Sequence, residues 1–302
     1  MNLNLSTAVQ TALEASQPLL AMESTIIAQG MPYPESLDFA QKAEALCREM
    51  GVVPATIAII NGVPQVGLDE AQLKFIAHDG SIRKVSRREL GIAASEQWGG
   101  ATTVSATMHI AHMAGIPVFA TGGIGGVHRG AEYSFDVSQD LTALREVPMI
   151  VVSAGAKAVL DLPKTIEMLE TLGVCVVGYK TNTFPAFYSV DSGLEIPHRV
   201  NTAKEIVRLF QKNIETGMTK AILIANPVPL NHEIPRKEME PVITGAVENA
   251  RKTGIPGKDV TPFLLEQIVR ATDGRSLKTN IALALNNVQL GANIARELSR
   301  AA

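Results

Sequence analysis

The 302-residue sequence is poor in aromatic side chains, poor in cysteine and nearly balanced in charge. Aromatic residues make up 4% of it, with a single tryptophan, so platforms of several stacked rings for sugars or bases are excluded as the main recognition device. Recognition falls to backbone and polar groups. Lys and Arg number 27 against 30 Asp and Glu, a formal net charge of −3. That leaves no global basic field to hold a polyanion, while a local basic pocket for one phosphate stays open. The two cysteines, Cys47 and Cys175, each lie in an apolar pattern and read as reduced core thiols, not as a disulfide or metal pair. An intracellular setting follows from that usage. The opening MNLNLSTAVQ has no basic stretch followed by an apolar one, and no apolar run reaches the length of a membrane span. A soluble, cytoplasmic protein with a small-molecule partner is expected.

Hydrophobic residues are 46% and charged residues 19%, an ordinary globular balance on a chain long enough to bury an active site. Short β-rich apolar runs alternate with longer segments of helical period, the pattern of an α/β protein with a mostly parallel or mixed central sheet flanked by helices. Strands are expected at Leu19–Glu23, Thr56–Ile60, Pro117–Thr121, Pro148–Ser153, Val174–Gly178 and Lys220–Ala225. The segment Glu35–Met50 carries Leu37, Ala40, Ala43, Leu46 and Met50 at helical spacing, with Gly51 where a left-handed residue ends a helix. Asp161 followed by Pro163 marks a helix start, and Gly173 its end. Further helices are expected at Thr202–Glu215, Lys237–Arg251, Pro262–Ala271 and Leu277–Leu298. With no Pro/Gly/Ser-rich linker and no repeat, residues 1–302 read as one large domain. Thr181–Arg199 has no clear period, and a loop of that length is either a lid or misread structure.

The most unusual segment is TGGIGGVHRG at Thr121–Gly130, directly after an expected strand. Successive glycines let backbone N–H groups converge on an anion, with His128 and Arg129 at the end of the run. The spacing matches neither the phosphate-loop motif nor G-x-G-x-x-G, so ATP and NAD are poor candidates. Asp136, Ser138 and Asp140 fall within five positions; one or two carboxylates plus water suit magnesium or manganese, and the alternative is a helix cap. Lys157 follows Pro148–Ser153 among Ala154, Gly155, Ala156 and Ala158. An amine crowded by small apolar residues is driven toward its neutral, nucleophilic form, which suits imine chemistry; the alternative is a solvent-facing lysine on a βα loop. Glu23 ends the first strand and reads either as a general acid or as a salt-bridge partner. Lys84 with Arg87 and Arg88 forms a basic cluster able to face a phosphate. The first-turn amides of an expected helix Ala101–Ala114 offer anion contacts, and Asn280 supplies an amide arm at the start of an apolar helix.

Taken together and in this order, these segments resemble the pseudouridine-5′-phosphate glycosidase, or indigoidine synthase A-like, family. The matching stretches are ESTIIAQGMPYP at Glu23–Pro34, KVSRREL at Lys84–Leu90, ATTVSATM at Ala101–Met108, ATGGIGGVHRGAEYSFDVSQDL at Ala120–Leu141, VSAGAKAVLDLPKTIEMLETLGV at Val152–Val174 and ANPVP at Ala225–Pro229. The likeness covers nearly the whole chain and is weakest in the first twenty residues and after Arg236. It implies reversible cleavage of the C–C glycosidic bond of pseudouridine 5′-phosphate to uracil and ribose 5-phosphate through a lysine imine, the pseudouridylate synthase reaction in reverse. It further implies Lys157 as nucleophile, Glu23 as proton donor, Asp136 holding Mn2+ largely through water, and Lys84, Val104, Ser138, Gln139 and Asp140 contacting substrate. His128, Thr121 and Asn280 are implied as further pocket members, and a homotrimer as the assembly. An imine-forming sugar-phosphate aldolase or lyase, a non-catalytic sugar-phosphate-binding protein and a carboxylate-pair N-glycosidase are the competing readings.

Overall fold

A computed structural model describes residues 2–253 and 257–301. Eleven strands form one sheet: β1 (Asn4–Leu5), β2 (Leu19–Met22), β3 (Val53–Ile60), β4 (Val63–Val66), β5 (Arg83–Val85), β6 (Gly100–Thr102), β7 (Val118–Ala120), β8 (Ile150–Ser153), β9 (Cys175–Tyr179), β10 (Arg199–Val200) and β11 (Ile222–Ala225). Their order is β1-β4-β3-β2-β7-β8-β11-β9-β10, with β6 branching from β3 and β5 pairing β6. Among the described residues only β3–β4 and β3–β6 are antiparallel; the central run β3-β2-β7-β8-β11-β9 is parallel throughout. The fold is therefore the single α/β domain with a mixed, mostly parallel sheet that the apolar runs imply.

The centre is parallel because its strands are buried on both faces, as their unbroken apolar sequences require. Every residue of β2, β7, β8 and β11 is buried. The one hairpin comes from Asn61-Gly62, whose φ values of 49° and 76° make the two-residue turn that joins β3 to β4. The helix Arg275–Ala301 lies across β2, β7 and β8. It approaches closely at Gly291, where a Cβ would stand 2.8 Å from Leu20 Cδ1 and 3.2 Å from the Ala120 Cβ. The helix Glu35–Glu49 ends before Gly51 at φ 72°, and Asp161 caps Leu162–Thr171 by accepting from Lys164 N at 3.1 Å.

Two expectations change, and the reading of the cysteines as reduced thiols holds. Ala101 and Thr102, expected as the start of a helix, belong to strand β6, and the helix begins at Val104. Thr102 is tied there by its amide to Ser24 Oγ at 2.8 Å and by its hydroxyl to the Ile57 carbonyl at 2.7 Å. The stretch Thr181–Arg199 is no open lid, because Phe184, Phe187 and Tyr188 are buried. Its turns close on themselves through Phe184 N to Leu194 O at 2.8 Å and Ile196 N to Asn182 O at 2.7 Å. Cys47 and Cys175 are free thiols, Cys47 buried and Cys175 half-buried. No described helix is long and apolar enough to cross a membrane.

Candidate active site

Parallel strands bring their carboxyl ends to one edge of the sheet, and loops there form the crevice of open α/β folds. Here Glu23 follows β2, the glycine run follows β7, Lys157 follows β8 and Asn226 follows β11. Glu23, Gly122, Gly123, Gly125 and Lys157 meet at a cleft of about 430 Å³. Glu23 is 4% exposed and accepts a short hydrogen bond from the Thr121 hydroxyl. Burial raises its carboxyl above the ordinary value of 4.5; the Lys157 cation, the Thr121 bond and Lys84 oppose that, and Asp140 adds to it. Glu23 thus holds its proton to higher pH than an exposed glutamate, as a proton donor must. Lys157 is half-buried and lines the same cleft. Its amide donates to Ile124 O and its carbonyl accepts from Leu160 N, both at 3.0 Å, so the β8 loop and the glycine run fix its backbone between them.

The fold takes up several amides of the glycine run. The amide of Thr121 donates to Val152 O, that of Ile124 to Gly155 O and that of His128 to Asp136 O, each at 3.0 Å. Gly125 N–H donates to Asp140 Oδ2 at 2.8 Å and Val127 N–H to Thr165 Oγ1 at 3.0 Å. These amides are consumed internally. What the glycines supply is clearance. A Cβ on Gly125 would collide with Ser138 Oγ and lie 2.7 Å from Asp140 Oδ2; on Gly123 it would lie 2.7 Å from the Phe187 ring; on Gly126 it would lie 2.6 Å from Thr165 Cγ2. The first turn of Val104–Met113 is likewise spent in part, since Ser105 N–H donates to Asp140 Oδ1 at 2.9 Å. Asp140, 5% exposed, is therefore a buried tie between that helix and the glycine run.

A further set of groups suited to an anion lies beside Ser138. Ser138 caps the helix Gln139–Glu146, so the positive end of that helix opens on the cleft. Lys84, on β5, and Arg88 line the same side, and Gln139 Oε1 accepts from Arg88 N at 3.0 Å. Arg87 turns away to Glu146 at 2.5 Å, so the basic cluster contributes two of its three cations.

His128 and Asp136 stand at the rim, His128 Nδ1 being 3.8 Å from Asp136 Oδ2. Burial first, with the Lys84 and Lys157 charges, lowers the His128 pKa below 6.5 against the pull of Asp136. No group of three or more His, Cys, Asp or Glu side chains suited to a metal occurs among the described residues. Asp136, 41% exposed, fits a hard divalent cation that keeps most of its water shell, and does not fit a chelated one.

Of the residues singled out in the sequence, the cleft gathers Glu23, Lys84, His128, Asp136, Ser138, Gln139, Asp140, Lys157 and Asn280. Thr121 lies behind Glu23, and the Val104 side chain is 1% exposed in the core, its neighbours Thr103 and Ser105 lining the cleft in its place. Sequence reasoning passed over Gln29, Phe187 and the helix Gly257–Ala271, which contributes Thr261, Pro262 and Leu265. Gln29 sits within ESTIIAQGMPYP, where only its polarity in an apolar run signals a role. An ion pair from Arg129 to Glu240 at 2.8 Å joins the glycine run to the neighbouring helix Arg236–Thr253.

Fold and site together define an α/β protein with an ionisable small-molecule cleft at the carboxyl edge of its sheet. Residues 8–297 match the family described as Indigoidine synthase A like protein, and the chain belongs to that family. A curated relative from Caldanaerobacter subterraneus subsp. tengcongensis, named pseudouridine-5′-phosphate glycosidase, is 49% identical over 298 residues, covering 99% of this chain and 97% of its own. One of the same name from Solibacter usitatus is 51% identical over 298 residues, 99% of this chain and 100% of its own. The crystal structure of an indigoidine synthase A-like protein from Thermotoga maritima superposes with a TM-score of 0.89 at 38% identity, covering 94% of each chain. The prealnumycin C-glycosynthase AlnA, solved in complex with ribulose 5-phosphate, gives a TM-score of 0.91 at 34% identity, covering 99% of this chain and 97% of its own.

Proposed function

We propose that this chain catalyses the reversible cleavage of the C–C glycosidic bond of pseudouridine 5′-phosphate, giving uracil and ribose 5-phosphate, with Lys157 as covalent nucleophile and Glu23 as proton donor. The observation that carries the reading is a buried carboxyl with a raised pKa facing the same cleft as a lysine that is its largest opposing charge. The names of the full-length relatives supply the substrate.

The leaving atom is a carbon without a lone pair, so the two-carboxylate route of ordinary glycosidases does not serve. Glu23 gives its proton to the ribose ring oxygen as the C1′–O4′ bond breaks, with electron push from the uracil ring. The Lys157 amine adds to C1′, forming a C–N bond and losing a proton. Uracil C5 then takes up a proton, the C1′–C5 pair returns to the ring, and the nitrogen lone pair closes an imine. Water adds to that imine, releasing ribose 5-phosphate and the free amine. The phosphate, remote from C1′, binds beside Ser138, Gln139, Lys84 and Arg88 and supplies orientation. Asp140, His128 and Asn280 complete the contact set of the proposal, with Thr103 and Ser105 where the resemblance implied Val104, and Thr121 holding Glu23 from behind. Asp136 would hold one Mn2+ largely through water, bringing positive charge to this rim. The proposal extends to a homotrimer working in the cytoplasm; exposed Tyr133 and Phe135, at 88% and 84%, support an assembling surface.

Incubation with pseudouridine 5′-phosphate should release uracil, and borohydride with ribose 5-phosphate should leave a pentose phosphate adduct on the tryptic peptide containing Lys157. Lys157→Ala should abolish both while remaining folded. Uracil release at the wild-type rate by that variant, or an unmodified lysine under trapping, overturns the assignment.

A further inference from the structure

In the proposed reaction the bonds O4′–C4′–C5′–O5′–P join the atom that Glu23 protonates to the phosphorus. Proton donor and phosphate cation must therefore stand at one spacing to act on the same molecule. Glu23 is fixed on its own side by the Thr121 hydroxyl. Lys84 is less directly anchored. Among the described residues β5, which carries it, pairs no strand but β6, and β6 joins the sheet through Gly100 and Ala101 against β3. So short a ladder leaves this margin dependent on other ties.

Ser24, the residue after Glu23, supplies one. Its Oγ accepts from Thr102 N at 2.8 Å and lies 3.3 Å from Thr102 Oγ1. The single Thr102 hydroxyl proton goes to Ile57 O at 2.7 Å, while Thr107 Oγ1 donates to the same Thr102 oxygen at 2.9 Å. Ser24 is therefore the donor across the longer contact, which makes it both donor and acceptor to one residue of β6. Ser24, Thr102 and Thr107 are fully buried, so water does not compete for these bonds. The pairing of Ala101 with Lys84 and of Thr102 with Val85 carries the grip across to β5. Lys84 and Glu23 line the same cleft, which Ser24 itself does not line, and the Lys84 charge reaches the Glu23 carboxyl.

We infer that Ser24 is a positioning residue, holding the β5–β6 margin so that Lys84 keeps the spacing from Glu23 that a pentose 5-phosphate requires. The inference rests on the proposed reaction and adds to it a residue that touches no reacting atom. A free phosphate ion can follow a displaced Lys84, whereas a phosphate tied to a ribose seated at Glu23 cannot. Loss of the grip is therefore read as lost affinity for the tethered phosphate alone.

Calorimetric titration of the full-length protein with inorganic phosphate and with ribose 5-phosphate tests this without requiring turnover. Ser24→Ala should bind inorganic phosphate as the wild type does and ribose 5-phosphate about tenfold more weakly. Ser24→Cys, near in volume but a poor acceptor, should fall between the two and serves if the alanine variant does not fold. In a Lys84→Met background the same Ser24→Ala change should cost less than about threefold, because the cation it positions is gone. Unchanged ribose 5-phosphate affinity in both Ser24 variants, an equal loss of both ligands, or an equal cost with and without Lys84 overturns the inference, as does wild-type protein that binds neither ligand. A wild-type protein that shows the expected pattern yet releases no uracil from pseudouridine 5′-phosphate keeps the positioning role and rejects the reaction.

Discussion

Replacing Asn287 by alanine removes a clamp that no motif reveals. Asn287 is fully buried on the helix Arg275–Ala301. Its Nδ2 donates to Thr121 O at 2.8 Å and to Gly122 O at 3.3 Å, and its Oδ1 accepts from Asn226 Nδ2 at 2.9 Å. The alanine variant leaves the Asn226 amide and the Thr121 carbonyl without these partners in a dry site. Each such group costs roughly 1–3 kcal/mol, so about 2–6 kcal/mol of stability is at stake. At about 2 °C per kcal/mol for a chain of this size, the melting temperature should fall by on the order of 4–12 °C. Thr121 also holds Glu23, so a carbonyl that relaxes carries that carboxyl with it, and for the proposed reaction a misplacement of about 1 Å lowers turnover by up to about 100-fold. Asn287→Asp should do no better, because it turns a second oxygen toward the Thr121 and Gly122 carbonyls. Thermal melting followed by circular dichroism, with kcat for uracil release measured on the same preparation, checks both parts. A melting temperature within about 1 °C of wild type together with unchanged kcat would refute the clamp.

Glu23→Gln should abolish uracil release and flatten the dependence of stability on pH. A carboxyl raised in the folded state binds more protons there than in the unfolded chain, so the wild type loses stability as pH rises from 4.5 through the folded pKa. Denaturant melts across that window should show the wild type losing more than the variant, and parallel curves would reject the raised pKa. Gly125→Ala drives a Cβ into Ser138 Oγ. It should cost about 1–3 kcal/mol of stability and weaken ribose 5-phosphate binding, and calorimetry showing wild-type affinity would remove Ser138 from the phosphate site. Chelation should suppress uracil release and Mn2+ restore it, with Asp136→Ala needing more Mn2+ for half-maximal activity; full activity in metal-free protein would take Asp136 out of that role.

Six short β-rich apolar runs foretold six central strands, because a parallel strand buried on both faces has an unbroken apolar sequence. Gly51 and Asp161 foretold helix ends, since caps are decided within one turn. The short strands β1, β4, β5, β6 and β10 escaped notice. Strands of two to four residues carry too little periodicity to read, and their existence depends on their pairing partners. Residues 101–102 read as helix for that reason, although pairing with β3 and β5 makes them strand.

By itself the sequence determined where the candidate side chains stand: Glu23 after β2, Lys157 after β8, Ser138 at a helix start. Those choices rest on local backbone geometry. Tertiary structure alone decided what the glycines are for, which arginine faces the cleft, and that Asn287 and Ser24 matter. Clearance at Gly125 is set by Ser138, the direction of Arg87 by Glu146, and the grip of Ser24 by Thr102 on β6. Close packing and hydrogen-bond satisfaction depend on atoms brought together from distant positions, which no stretch of sequence contains.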